Sequence, residues 1–243
     1  MKNRVVMITG ASVGIGRAVA LQMAEKGAKL ILVDMNAETL AKLEEELKAY
    51  NAESMSFVCD VSDEKAVNEA VQVATEKFGG IDILINNAAI WRVKSLFWET
   101  SVETWKKLLD VNVMGVVYCT NAVLPKMMEK GYGRIVNVAS VAGVYGNAKM
   151  SVYSATKGAL ISMTKALAKE VAKMGIVVNA VSPGMVSPSD HLDIEFTKET
   201  DKCYAGRTGS DRENADLICF LASEKNGYIV GQNIQIDGCR KEI

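Results

Sequence analysis

The 243-residue chain has one histidine, three prolines and five cysteines. His191 by itself builds neither a metal site nor a Ser-His-Asp triad, and reads as a solvated loop residue. The cysteines (Cys59, Cys119, Cys203, Cys219 and Cys239) are odd in number and lack metal-ligand spacing. They read as reduced thiols of a cytoplasmic protein, and no metal is expected. With so few prolines and no Ser/Pro/Gly-rich linker, nothing divides the chain, and its length suits one domain over residues 1–243. A formal net charge of −1 and a pI near 6.0 offer no basic face for a nucleic-acid partner. Long hydrophobic runs are missing at the start. Val5-Val6-Met7-Ile8-Thr9-Gly10 is too short for a signal sequence or a membrane span, and a membrane partner is not expected.

What is present is alternation. Short apolar runs at 4–9, 29–33, 54–59, 81–86, 134–139, 177–182 and 233–236 read as strands covered on both faces. Helical stretches lie between them at 14–26, 37–50, 64–78, 102–130, 152–174 and 211–222. Gly27, Gly79, Gly131 and Gly175 mark helix ends. Strand–helix alternation predicts an α/β Rossmann fold, a doubly wound parallel sheet of seven strands with right-handed crossovers. Residues 185–207 have weak periodicity and read as a substrate loop beside the active site.

The first strand runs into Thr9-Gly10-Ala11-Ser12-Val13-Gly14-Ile15-Gly16, and a helix follows. Glycines at 10, 14 and 16 allow a tight turn and close approach to a pyrophosphate, which the helix N-terminus attracts. Asp34 ends the second strand, where a carboxylate accepts from adenine-ribose hydroxyls, unless it is a helix cap or a solvated acid. It repels a 2′-phosphate: at roughly 4 Å and an effective dielectric near 20, one charge pair is worth about 4 kcal/mol. Val13 supplies no compensating cation, so NAD(H) is preferred over NADP(H). Asp60 either accepts from the adenine amino group or caps the next helix, with Val61 beside it. Asn86-Asn87-Ala88-Ala89 ends the fourth strand at the ligand-binding edge.

Tyr153 and Lys157 are four residues apart in a helical stretch and share one face. Free tyrosine has a pKa of about 10, and bringing it to about 7 requires roughly 4 kcal/mol of differential stabilisation. A neighbouring ammonium together with an oxidised nicotinamide supplies energy of that order. Lys157 also suits the cofactor's ribose hydroxyls. Ser140 ends the fifth strand and can donate to a substrate oxygen, and Asn112 can hold a relay water. Each is ordinary alone; a turn serine or a mid-helix asparagine needs no function. Their force lies in joint placement with the glycine loop.

These motifs resemble the short-chain dehydrogenase/reductase family along essentially the whole chain. The resemblance identifies Asn112, Ser140, Tyr153 and Lys157 as a catalytic tetrad, with Tyr153-Ser154-Ala155-Thr156-Lys157 as its signature. It assigns Gly10, Ser12, Val13, Gly14, Ile15, Gly16, Asp34, Asp60, Val61, Asn87 and Ala88 to the cofactor. Pro183, Gly184 and Val186 follow the sixth strand beside the nicotinamide. Ala89 replaces a usual glycine. A usual threonine is absent at Pro188, where Ser187 or Ser189 stands in. The resemblance also implies a homotetramer through the helices at 102–130 and 152–174 and the C-terminal strand segment. Asp237-Gly238-Cys239 departs from a common Asp-Gly-Gly.

The candidate substrate pocket reads as apolar and roomy, walled by Trp91, Val144, Tyr145, Met150, Met185 and Leu192, with Asn147 and Ser140 as polar points. The branch resembled holds 3-oxoacyl-carrier-protein reductases and NAD-linked alcohol, steroid and polyol dehydrogenases. Arginines common in the carrier-protein enzymes are replaced by Gly131 and Met174, with Lys130 and Lys173 one residue away. The first expectation is an NAD(H)-dependent secondary-alcohol dehydrogenase or ketone reductase of small to medium apolar molecules. The alternatives are a carrier-protein reductase and a non-catalytic dinucleotide sensor.

Overall fold

The computed structural model describes residues 1–186 and 192–241; His191, Ser187, Pro188 and Ser189 lie outside the described residues. Seven strands, β1 (Val5–Thr9), β2 (Lys29–Asp34), β3 (Ser54–Val58), β4 (Ile83–Asn86), β5 (Gly133–Val138), β6 (Ile176–Pro183) and β7 (Asn233–Ile236), form one sheet ordered β3-β2-β1-β4-β5-β6-β7. Every neighbouring pair is parallel. The helices are α1 (Gly14–Glu25), α2 (Ala37–Leu47), α3 (Glu64–Phe78), α4 (Val102–Leu109), α5 (Gly115–Lys130), α6 (Ala142–Tyr145), α7 (Ser151–Val171) and α8 (Asp211–Leu221). The doubly wound Rossmann arrangement is the one expected.

The strand period of two divides the core. Val6, Ile8, Leu30 and Leu32 face one side, where they pack with buried residues of α1, α2 and α8. Val5, Met7, Ile31 and Val33 face the other, against α3, α5 and α7. Chain order reverses between β1 and β4, so the carboxyl ends of β1, β4, β5 and β6 open into one crevice. A buried polar chain fixes α7 under it. Asn86 Nδ2 donates to Asn137 Oδ1 at 2.9 Å, and Asn137 Nδ2 donates to the Thr164 hydroxyl at 2.9 Å.

The helix expected at 102–130 is interrupted. Between α4 and α5, Asp110–Met114 forms a π-helical turn, closed by the Gly115 N–H on the Asp110 carbonyl. Two contacts explain it. Asn112 is tied sideways to Ile90, and Gly115 lies against Val61, whose Cγ2 would be 2.7 Å from any Cβ there. The stretches expected at 37–50 and 152–174 end in 3-10 turns, Lys48–Tyr50 and Ala172–Met174, while α6 had no signal in the sequence. The described part of 185–207 carries isolated bridges, Val186 to Gly209, Glu199 to Arg207 and Cys203 to Arg240.

Candidate active site

The turn after β1 depends on its glycines in three ways. Gly10 and Gly14 hold φ of 60° and 56°, which side-chain-bearing residues avoid. Gly16 lets α1 close on the turn, since a Cβ there would meet the Gly10 carbonyl oxygen at 2.0 Å. Val13 is the N-cap of α1 and provides no side-chain cap, so the first-turn N–H groups remain available to an anion. Asn87 braces the turn from β4: its Nδ2 donates to the carbonyls of Thr9 at 3.1 Å and Gly10 at 2.9 Å. The N–H groups of Asn87 and Ala88 both donate to the Thr9 hydroxyl.

Ser12 does not face the crevice. Its N–H and hydroxyl donate to Asp34 Oδ2, at 3.0 and 2.7 Å, and Asp34 Oδ1 accepts from the Asn36 N–H at 3.1 Å. Asp34 therefore keeps acceptor capacity chiefly on Oδ1. Arg17, a nearby cation, is engaged elsewhere: its guanidinium pairs with Glu46 and donates to the Leu192 carbonyl at 2.9 Å. Asp60 Oδ1 accepts from the N–H and hydroxyl of Ser62, while Asp63 caps α3. The helix-cap alternative for Asp60 thus becomes a local turn.

Ser140, Tyr153 and Lys157 meet at the end of β5. Ser140 hydrogen-bonds the Tyr153 phenol, and its Oγ also accepts from the Ala142 N–H at 3.1 Å. Lys157 Nζ lies 5.8 Å from the Tyr153 ring centre and donates to the Val138 carbonyl at 2.7 Å. Burial pushes the phenol above its ordinary value, against the downward pull of the Ser140 hydrogen bond. Burial lowers Lys157 to about 7. The acidified phenol expected from the sequence is therefore not produced by these side chains alone, because both are withdrawn from water and the ammonium sits over the ring.

Asn112 is fully buried, and both of its amide hydrogens and one lone pair of Oδ1 are already used within the chain. Its Oδ1 accepts from the Ile90 N–H at 2.7 Å, and its Nδ2 donates to the Ile90 carbonyl at 2.9 Å and the Thr156 hydroxyl at 3.2 Å. Thr156 in turn donates to the Tyr153 carbonyl at 2.7 Å. Asn112 is thus a brace between the segment after β4 and the tyrosine helix.

One cleft of about 930 Å³ joins these groups. Its walls include Gly10, Val13, Gly14, Ile15, Asp34, Val61, Asn87, Ala88, Trp91, Ser140, Asn147, Met150, Tyr153, Lys157, Pro183, Gly184, Met185 and Val186. Ser12, Gly16, Asp60, Asn112 and Tyr145 are not among them; nor are Val144 and Leu192. Tyr145 is exposed, with the Arg240 guanidinium 5.6 Å above its ring. The apolar expectation also needs correction, because Lys94, Lys149, Lys202, Arg207 and Arg240 line the cleft. Sequence periodicity carries no signal for them, since they come from loops and the C-terminal segment. Asp211, another wall residue, is raised by burial to about 6. Among the described residues no cluster of three or more His, Cys, Asp or Glu side chains is placed to hold a metal.

A glycine turn at an uncapped helix, the Asp34 carboxylate and half-buried Ser140 and Tyr153 beside buried Lys157 share one cleft, the arrangement of a dinucleotide-dependent oxidoreductase. The chain belongs to the short-chain dehydrogenase family, whose sequence pattern it matches over residues 4–199. It is 39% identical over 241 residues to the 3-oxoacyl-(acyl-carrier-protein) reductase of Thermotoga maritima, covering 98% of both chains. It is 36% identical to the 2-dehydro-3-deoxy-L-rhamnonate dehydrogenase (NAD(+)) of a Sphingomonas species, covering 98% of this chain and 95% of the relative. An NAD+-bound xylitol dehydrogenase superposes with a TM-score of 0.90 at 32% identity, covering 98% of each chain. The protein is accordingly an oxidoreductase of a family that binds nicotinamide dinucleotides.

Proposed function

We propose that the protein interconverts a secondary alcohol and a ketone on a small molecule, with NAD(H) preferred over NADP(H). The observation that carries this reading is the contact of Ser140 with the Tyr153 phenol beside buried Lys157, in the cleft that the glycine turn also lines. The cleft volume and the bare N-terminus of α1 suit a dinucleotide. Gly10, Val13, Gly14 and Ile15 would hold its pyrophosphate, Asp34 the adenine ribose, and Pro183, Gly184 and Val186 the nicotinamide side. Bound there, the nicotinamide accepts or returns the hydride and, when oxidised, brings the positive charge that lowers the phenol.

In oxidation Tyr153 takes the hydroxyl proton as the carbinol C–H is broken; in reduction it returns that proton to the carbonyl oxygen. Ser140 donates to the same oxygen. Lys157, anchored on the Val138 carbonyl, keeps a fixed donor beside the phenol. Asn112 holds the tyrosine helix in register through Thr156. The NAD preference is supported by Asp34, which faces the cleft while Arg17 is engaged by Glu46.

The carrier-protein alternative draws on the 39% identity to the Thermotoga enzyme. Lys130, one of its two substitute cations, is paired with Asp82 at 3.0 Å, which weakens it as a carrier contact. A homotetramer is supported by apolar side chains exposed beside and on α4, Trp98 and Val102 among them, and light scattering tests it. Five free thiols suit a reducing cytoplasm.

The deciding experiment is Tyr153→Phe. Turnover of alcohols or ketones falls by about 10²- to 10⁴-fold while NADH binding persists. A variant that retains full turnover overturns the mechanism, and a wild type that binds NADH but turns over nothing supports the sensor.

A further inference from the structure

Four cations on the cleft wall have no acidic partner among the described residues. Lys94 and Lys149 stand on segments joined by the Ser95 N–H to the Lys149 carbonyl at 2.8 Å. Lys202 and Arg240 stand on segments joined by the Lys241 N–H to the Lys202 carbonyl at 3.0 Å, next to the Cys203–Arg240 bridge. Arg207, a fifth, is satisfied by Glu213. The two edges meet where Arg240 Nη2 donates to Asn147 Oδ1 at 2.9 Å. The Asn147 N–H donates to the Ser154 hydroxyl at 3.1 Å, so this junction adjoins Tyr153 along the chain.

Asp34, Asp211 and Asp237 also line the cleft, but none of them pairs with these four cations among the described residues, and the excess positive charge focuses the field on whatever anion enters. The dinucleotide's pyrophosphate belongs to the glycine turn, at the N-terminus of α1, and none of the four cations comes from that turn. Arg240 donates one Nη2 N–H to Asn147 and keeps the remaining donors of its planar fork, the geometry that grips a two-oxygen carboxylate.

We propose that the substrate is a hydroxy acid or its keto acid, with the carboxylate held by Arg240 and drawn in by Lys94, Lys149 and Lys202. This rests on the dehydrogenase reading and narrows its substrate class. The reaction balances as before: the carbinol hydride goes to the oxidised nicotinamide, the hydroxyl proton leaves through Tyr153, and the carboxylate is unchanged.

The test pairs lactate, 2-hydroxybutyrate and 3-hydroxybutyrate with their methyl esters, with NAD+ and NADP+ in parallel. For the preferred acid, kcat/KM exceeds that of its ester by about tenfold or more, and Arg240→Gln lowers this ratio by about tenfold while Arg240→Lys restores part of it. Lys149→Gln moves the ratio in the same direction and serves if the Arg240 variants do not fold. Malonate, which cannot react, raises the melting temperature of the NADH complex, and Arg240→Gln removes that shift. Esters turned over as well as acids, or a ratio unchanged in Arg240→Gln, overturns the proposal. So does an equal loss of NADH affinity in that variant, because the arginine would then serve the dinucleotide. A malonate shift lost in Arg240→Gln, without turnover of any alcohol, sinks the dehydrogenase reading and leaves the anion site standing.

Discussion

Lys157 Nζ lies 5.8 Å from the centre of the Tyr153 ring and reaches past it to the Val138 carbonyl at 2.7 Å. The ammonium is thus a neighbour of the phenol without being its hydrogen-bond partner, and burial moves the two groups in opposite directions. The phenol is raised and the ammonium is lowered to about 7. Before an oxidised nucleotide lowers it, the raised phenol is protonated at neutral pH, ready to act as the acid of ketone reduction and unready as the base of alcohol oxidation. With saturating nucleotide, kcat/KM for oxidation rises by about tenfold per pH unit below the phenol's pKa, whereas reduction stays flat through neutrality. The two pH profiles, followed by nicotinamide absorbance, check this. An oxidation rate independent of pH across the whole range from about 6 to 9 contradicts the assignment of Tyr153 as the base.

Asn112 joins three elements through three atoms of Ile90 and Thr156, all within hydrogen-bonding distance. Asn112→Ala strands the Ile90 N–H and carbonyl, at about 1–3 kcal/mol for each buried group left without a partner. The variant unfolds at lower urea. Because Thr156 loses its anchor beside the Tyr153 carbonyl, kcat falls more than KM rises. Steady-state kinetics beside urea titrations test both parts, and an unchanged kcat in a folded variant would remove Asn112 from the positioning of Tyr153.

Much of this arrangement was legible in the sequence because it depends on local rules. The doubly wound parallel sheet of seven strands follows from apolar runs alternating with amphipathic stretches. The glycines at 10, 14 and 16 can be read as a tight turn before a helix, and Tyr153 and Lys157 share a face by helical spacing alone. What stayed hidden depends on tertiary contact. The π turn at Asp110–Met114 exists because Ile90 and Val61 reach it from distant segments. Ser12 reads as a loop residue facing the ligand, but the second strand places Asp34 where it captures both Ser12 donors. The cationic wall is the largest departure. Arg240 sits in a polar tail with no periodicity, and only the pairing of that tail with the 202–205 segment brings it to the cleft.

The proposed NAD(H) preference rests on the same Asp34. A 2′-phosphate brought near its carboxylate meets about 4 kcal/mol of repulsion at roughly 4 Å, with an effective dielectric near 20. Arg17 cannot offset this while paired with Glu46. In Asp34→Ala combined with Val13→Arg, the acid is removed and a cation is placed at the N-cap of α1. The ratio of kcat/KM for NADPH to that for NADH rises by about tenfold or more. The absolute rate with NADH drops, since Ser12 loses its acceptor. A ratio that does not move shows that Asp34 plays no part in nucleotide choice.

Cys239 is exposed and holds φ of 59°, in the left-handed region, between Gly238 at 63° and the arginine of the cleft wall. Its position is fixed from both sides: its N–H donates to Asp237 Oδ1 at 3.0 Å and its carbonyl accepts from the Tyr204 N–H at 2.9 Å. A side chain in this conformation costs about 1–2 kcal/mol. Glycine adopts it freely but loses roughly 0.5–1 kcal/mol more in chain entropy on folding. Cys239→Gly is therefore stabilising by about 0.5–1 kcal/mol, the difference of the two effects. Cys239→Val goes the other way, because a β-branched side chain fits the left-handed region least well. Thermal unfolding of both variants under reducing conditions measures the pair. A valine variant as stable as the wild type means that the tail does not hold this turn, and Arg240 would then lack the fixed backbone that brings it to the cleft.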